Sequence, residues 1–161
     1  MSDNPRVPPH NRDAERGVLG TILRDDQYMP EICARISAES FYVHPHPIIF
    51  SAMTAIHQRG QPIDVVMLAE ELLRRGKLDE LKVGDVPGER YLEDLYDSEF
   101  SAARCLYYAN IIRDKATVRA LIHTANEILR KAYDQQETTR NWNPRSGKSW
   151  TSAWERAPGT T

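Results

Sequence analysis

Through the first 133 residues, apolar side chains return at helical spacing, and nowhere do they alternate with polar ones for long enough to make a strand. Ala14, Val18, Leu19, Ile22 and Leu23 fall on one face of a helix predicted over 12–24, with Asn11 placed to cap it and Asp13 and Glu15 putting negative charge in its first turn. A second, short helix is expected through Met29, Ile32 and Ile36, with Pro30 tolerated in its first turn. Phe41 and Tyr42 open an aromatic turn that leads into a helix carrying Ile49, Phe50, Met53 and Ile56 on one side, stopped at Gly60. Asp64 is the N-cap of the next segment, whose Val65, Leu68, Leu72 and Leu73 point inward before Gly76 ends it. After the VGDVPG turn, Tyr91, Leu92, Leu95 and Tyr96 mark one further short helix.

Neither proline nor glycine interrupts the chain from Ser101 to Tyr133. Along it Cys105, Leu106, Ala109, Ile112, Val118, Leu121, Ile122, Ala125, Ile128, Leu129 and Ala132 read as a single stripe at intervals of three or four, on one long helix or two nearly continuous ones. A body of this size has limited surface with which to cover so long a helix, so part of it is expected to protrude and need a partner. Three parts result: an extended, proline-rich arm over 1–10, a helical domain over 11–134, and a tail over 135–161 that lacks Leu, Ile, Val, Phe and Met and is read as disordered. The fold class is all-α, a small multi-helix domain ending in a long helix.

Charge sharpens this division. The 21 basic and 23 acidic residues leave a formal −2, yet from Thr139 to Thr161 Arg140, Arg145, Lys148 and Arg156 stand against Glu155 alone, so the body is the acidic part. Gripping nucleic acid takes clustered Lys and Arg, which argues against direct DNA binding by the body. Cys33 and Cys105 form no CxxC pair and are read as buried small hydrophobes. The sequence offers neither a signal-peptide core nor a run of about 18 apolar residues, so a cytoplasmic protein with no membrane contact is expected.

Five segments, in order, carry a family resemblance. PPHNRDAERGVLGTIL (Pro8 to Leu23) is similar to the opening signature of DnaB-type replicative DNA helicases. SFYVHPHPIIF follows, with Phe41, Tyr42, His46, Ile49 and Phe50; then GQPIDVVMLAEELLRRGKLDE, with Gly60, Pro62, Asp64, Leu68, Gly76 and Leu78. YLEDL and SAARCLYYANIIRDKATVRALI complete the series through Tyr91, Leu92, Ser101, Ala102, Ala103, Tyr108, Ala109, Ile112, Arg113 and Leu121. The resemblance, to the N-terminal domain of that family over about Pro8 to Asp134, implies a helical globule with a helical hairpin. It implies no chemistry of its own: such a domain builds a collar by pairing hairpins between subunits, supports helicase assembly and helps receive primase. Two parts of the family pattern are missing from these residues, the second hairpin arm and the ATP-hydrolysing motor.

Several sharper readings compete with plain ones. SGKS (Ser146 to Ser149) lacks the leading glycine of a phosphate-binding loop, because Trp142 stands there, and no apolar strand precedes it. His44 and His46 flank Pro45 but have no third ligand, so a helix entrance is preferred to a zinc site. Phe41 and Tyr42 are read as core aromatics rather than a base-stacking platform. Arg74, Arg75 and Lys77, with Asp79 and Glu80, are read as solvated helix ends. Trp142, Trp150 and Trp154 with the tail arginines could stack on nucleic acid, but composition alone supports that. The candidate protein interface is therefore Leu106, Ala109, Ile112, Arg113, Val118, Leu121, Ile122, Ala125, Ile128 and Leu129, strongest in its C-terminal half. No catalytic residue, metal or cofactor is expected. The partners implied are copies of the chain itself or full-length helicase subunits, with primase behind them. Two other readings stay open: an interrupted fragment of a helicase with no independent role, and a small helical DNA-binding protein.

Overall fold

The computed structural model describes residues 7–98 and 101–140, with side chains through Asp134. Among these the chain forms six α-helices: α1 (Arg12–Arg24), α2 (Met29–Cys33), α3 (His46–Gln58), α4 (Val65–Arg74), α5 (Gly88–Tyr96) and α6 (Cys105–Arg140). Short 3-10 turns join several of them, and one isolated bridge between Val83 and Val86 closes the turn ahead of α5.

The helices begin and end where local chemistry directs. Asn11 accepts the Ala14 amide at 2.9 Å and Asp64 accepts the Met67 amide at 2.8 Å, each satisfying a donor that the first helical turn leaves unpaired. Gly60 and Gly76, at φ 67° and 65°, take the left-handed conformation that stops α3 and α4. Pro30 sits in the first turn of α2, where its missing N–H costs nothing.

Two compact units divide the described residues, one up to Leu121 and the other from Ile122. In the first, α1 packs on α3 and α5, and α3 packs on α4. Leu19, Ile22, Met29, Ile32, Ile49, Phe50, Met53, Ile56, Leu68, Leu72, Leu81 and Leu92 are fully buried between them. At Gly20 the backbone of α5 comes so close that a Cβ would lie 2.5 Å from the Leu95 carbonyl oxygen, so only glycine admits the contact. In the second unit, the described residues continue α6 to Arg140.

Some expectations need correction. Leu73, assigned inward, is 61% exposed, because Leu72 before it already fills the core side of α4. Ile36 is buried but lies past the end of α2. Cys33 is exposed rather than buried, whereas Cys105 is buried, and burial pushes its thiol up to about 11, an inert packing residue. Helix α6 runs to Arg140, beyond the boundary placed at residue 135; the tryptophans and SGKS lie outside the described residues.

Candidate functional site

Helix α6 carries two apolar stripes, not one. Cys105, Ala109 and Ile112 are buried, with Leu106 half-buried against the same core. Ala109 and Ile112 thus belong to the chain's own interior and leave the candidate interface, and Leu106 is largely committed to the same packing. The next apolar position of the stripe, Val118, follows Ile112 after six residues, an interval that breaks the helical repeat. At roughly 100° per residue, Val118 and Leu121 fall on the side of the helix away from Cys105, Ala109 and Ile112. They are 44% and 64% exposed. Arg113 is also exposed and pairs with its neighbour Asp114, Nη2 to Oδ1 at 3.2 Å.

The outer stripe keeps a seven-residue repeat in the sequence of α6: Val118, Ala125 and Ala132; Leu121 and Ile128; Ile122 and Leu129. In the second unit Ile122, Ile128 and Leu129 are 46%, 63% and 54% exposed, and Ala125 is exposed too. Its flank carries a local ion pair, Arg130 to Glu127 at 3.1 Å. Heptad spacing is the geometry that lets two helices interdigitate.

In the first unit, α6 is fastened by a residue that the sequence reading overlooked. Arg119 donates from Nη1 to the Pro9 carbonyl at 2.8 Å and from Nη2 to the Ser40 carbonyl, and its guanidinium lies 5.4 Å from the Tyr42 ring centroid. His10 stacks on the same ring at 4.6 Å. Tyr42 is therefore not a core aromatic: it is 39% exposed and forms the middle of a sandwich between the N-terminal arm and α6.

Two buried carboxylates also escaped the sequence reading. Glu15, 1% exposed, accepts the Tyr42 and Val43 amides at 3.0 and 3.1 Å and contacts His46 Nδ1 at 2.7 Å. His46 Nε2 in turn meets the Tyr91 hydroxyl at 2.7 Å, so the histidine is a structural link at the entrance to α3, while His44 is exposed. Glu71 is the second carboxylate, and Arg74 and Arg75, read as solvated ends, both bind it. Among the described residues no three His, Cys, Asp or Glu side chains are grouped to hold a metal ion, and no helix is long and apolar enough to cross a membrane.

Residues 7–114 match the family described as DnaB-like helicase N terminal domain. The chain belongs to that family. Among curated relatives, the replicative DNA helicase DnaB of Haemophilus influenzae is 37% identical over 127 residues, and that of Geobacillus stearothermophilus 34% identical over 132. These alignments take in 79% and 82% of the chain but only 26% and 28% of the helicases, so it spans about a quarter of their length and matches their N-terminal portion. The crystal structure of the N-terminal domain of DnaB helicase from Mycobacterium tuberculosis superposes with a TM-score of 0.75 at 31% identity, covering 81% of this chain and 90% of that one. A Helicobacter pylori DnaB N-terminal domain, described together with its interactions with primase, shares the fold at TM-score 0.61 and 21% identity, over 75% of this chain and 90% of that one. The six-helix architecture ending in a long helix is thus the DnaB N-terminal fold.

Proposed function

We propose that this DnaB-like domain is a non-enzymatic assembly module that joins copies of itself, or replicative helicase subunits, through the outer face of α6 during DNA replication in the cytoplasm. The observation that carries the reading is the row Val118, Leu121, Ile122, Ile128 and Leu129, each between 44% and 64% exposed at heptad spacing. A row of that kind on a chain whose core is otherwise closed marks a surface meant for another polypeptide. Primase contact joins the proposal because a DnaB N-terminal domain and a DnaB-like replicative helicase of the same fold are each described with their primase interactions. Among the described residues no three metal-ligating side chains are grouped, and the module's task on this reading is to hold subunits together.

The test is light scattering of the chain beside a variant with Leu121→Ser, Ile128→Ser and Leu129→Ser. Each side chain is more than half exposed in the single chain, so its burial against a partner contributes roughly 1–2 kcal/mol, and the triple variant should associate at least a hundredfold more weakly, as an order-of-magnitude expectation. Its thermal unfolding should match the parent's, because none of the three touches the core. A parent chain that stays monomeric at about 100 μM, a weak-interface concentration, or a variant that associates equally well, refutes the proposal.

A further inference from the structure

Helix α6 is held to the body past the point where the core ends. Ile112 is its last buried side chain: among the described residues none from Arg113 to Asp134 is buried. A helical stretch without buried apolar contacts is held largely by its own backbone hydrogen bonds and opens readily. Arg119 lies seven residues past Ile112, about two turns along the helix, and is half-buried because it reaches chain far away in sequence.

Its partners belong to two pieces of chain of different firmness. The Ser40 carbonyl and the Tyr42 ring are part of the turn ahead of α3. That turn is fixed from within, because buried Glu15 accepts the Tyr42 and Val43 amides and the Ser40 hydroxyl accepts the Ser37 amide at 3.1 Å. The Pro9 carbonyl belongs to the arm, where His10 stacks on the Tyr42 ring and its Nδ1 meets the Pro8 carbonyl at 2.8 Å. Pro8 and Pro9 restrict the arm's backbone and the Asn11 cap ties its end to α1, so laying it over the ring orders few free torsions. The closure is nevertheless shallow. Val7 is 70% exposed and Tyr42 39%, and surface contacts near a chain end open at far lower free energy than a core.

We propose that residues 7–10 are a strap that fastens α6 over residues 113–121 and opens without unfolding the body. Opening loosens the two turns that carry Val118 and Leu121. A loose helix must be ordered before another helix can pack on it, so the closed strap favours association. This second half of the proposal rests on the reading of the outer face of α6 as an assembly surface; the strap itself does not.

The experiment is amide hydrogen exchange of the full chain carrying Leu121→Ser, Ile128→Ser and Leu129→Ser, compared with the same chain bearing in addition Arg119→Ala or His10→Ala. Protection over residues 113–121 should fall by about tenfold with Arg119→Ala and about threefold with His10→Ala, while α1 and α3 keep theirs. The sign is diagnostic: alanine is a better helix former than arginine, so a purely local effect at residue 119 would raise protection, and His10 is remote from α6 in sequence. Unchanged or raised protection over 113–121 in either variant overturns the strap, as does an equal fall throughout the body. Light scattering of the chain with His10→Ala alone reads the second half, with self-association about threefold weaker expected and equal association overturning it. A parent that does not associate refutes the assembly reading and the second half together, and the exchange result still decides the strap.

Discussion

Glu15→Ala is the substitution whose cost the structure specifies most fully. The carboxylate is 1% exposed and serves three donors: the amides of Tyr42 and Val43, and the ring of His46, itself fully buried. Alanine leaves all three without this acceptor, the His46 ring fully buried and the two amides partly so. A buried donor left unpaired costs about 1–3 kcal/mol and a partly buried one less, so the loss should be roughly 2–5 kcal/mol. Against a domain stability of about 5–15 kcal/mol, that is enough to leave a substantial unfolded fraction. Urea unfolding followed by circular dichroism measures it: the midpoint should fall sharply with little change in slope. Glu15→Gln keeps one acceptor oxygen and should lose about half as much, since its amide nitrogen meets donors where the parent offered an acceptor. If Glu15→Ala lowers stability by less than about 1 kcal/mol, an ordinary substitution, then the carboxylate does not hold the turn ahead of α3 in place and the argument is wrong.

Gly20→Ala should destabilise although alanine favours helices by about 1 kcal/mol, because the new methyl would lie 2.5 Å from the Leu95 carbonyl and 2.7 Å from Ser98 Oγ; a net fall in melting temperature of several degrees, roughly 1–2 kcal/mol, is expected, and a rise would show that α5 gives way freely. Glu71 makes a pH-dependent contribution: its folded pKa is depressed from 4.5 to about 2, so the stability it adds is present above the unfolded value and is lost as pH falls through that window. The stability difference between the parent and Glu71→Gln, from urea midpoints taken across pH 5 to 2 as a rough span, should therefore narrow toward acid, and a constant difference would exclude the linkage.

What the sequence disclosed and what it concealed divide by distance along the chain. Asn11, Asp64, Gly60 and Gly76 act within a few residues of themselves, and their roles as caps and stops could be read directly. Glu15 could not be read that way: its first-turn position suggests only favourable charge at a helix N-terminus, whereas its partners lie 27 to 31 residues away. Arg119 is more extreme, with partners 79 and 110 residues distant. Arg74 and Arg75 looked like solvent-facing ends because nothing local announces that Glu71, one turn earlier, is buried. The two faces of α6 are a different kind of omission. The six-residue step from Ile112 to Val118 was visible, and counting it would have separated core positions from outward ones.

The clasp made by Arg119 grips main-chain oxygens, at Pro9 and at Ser40, and never a side chain of either residue. Every amino acid brings the same carbonyl to those places, so replacing residue 9 or residue 40 changes nothing that the guanidinium holds. The dependence is therefore lopsided: the hydrogen bond between the N-terminal arm and α6 can be removed at one codon, that of Arg119, and is almost indifferent to the codons of the backbone it fastens, while the stacking of His10 on Tyr42 remains.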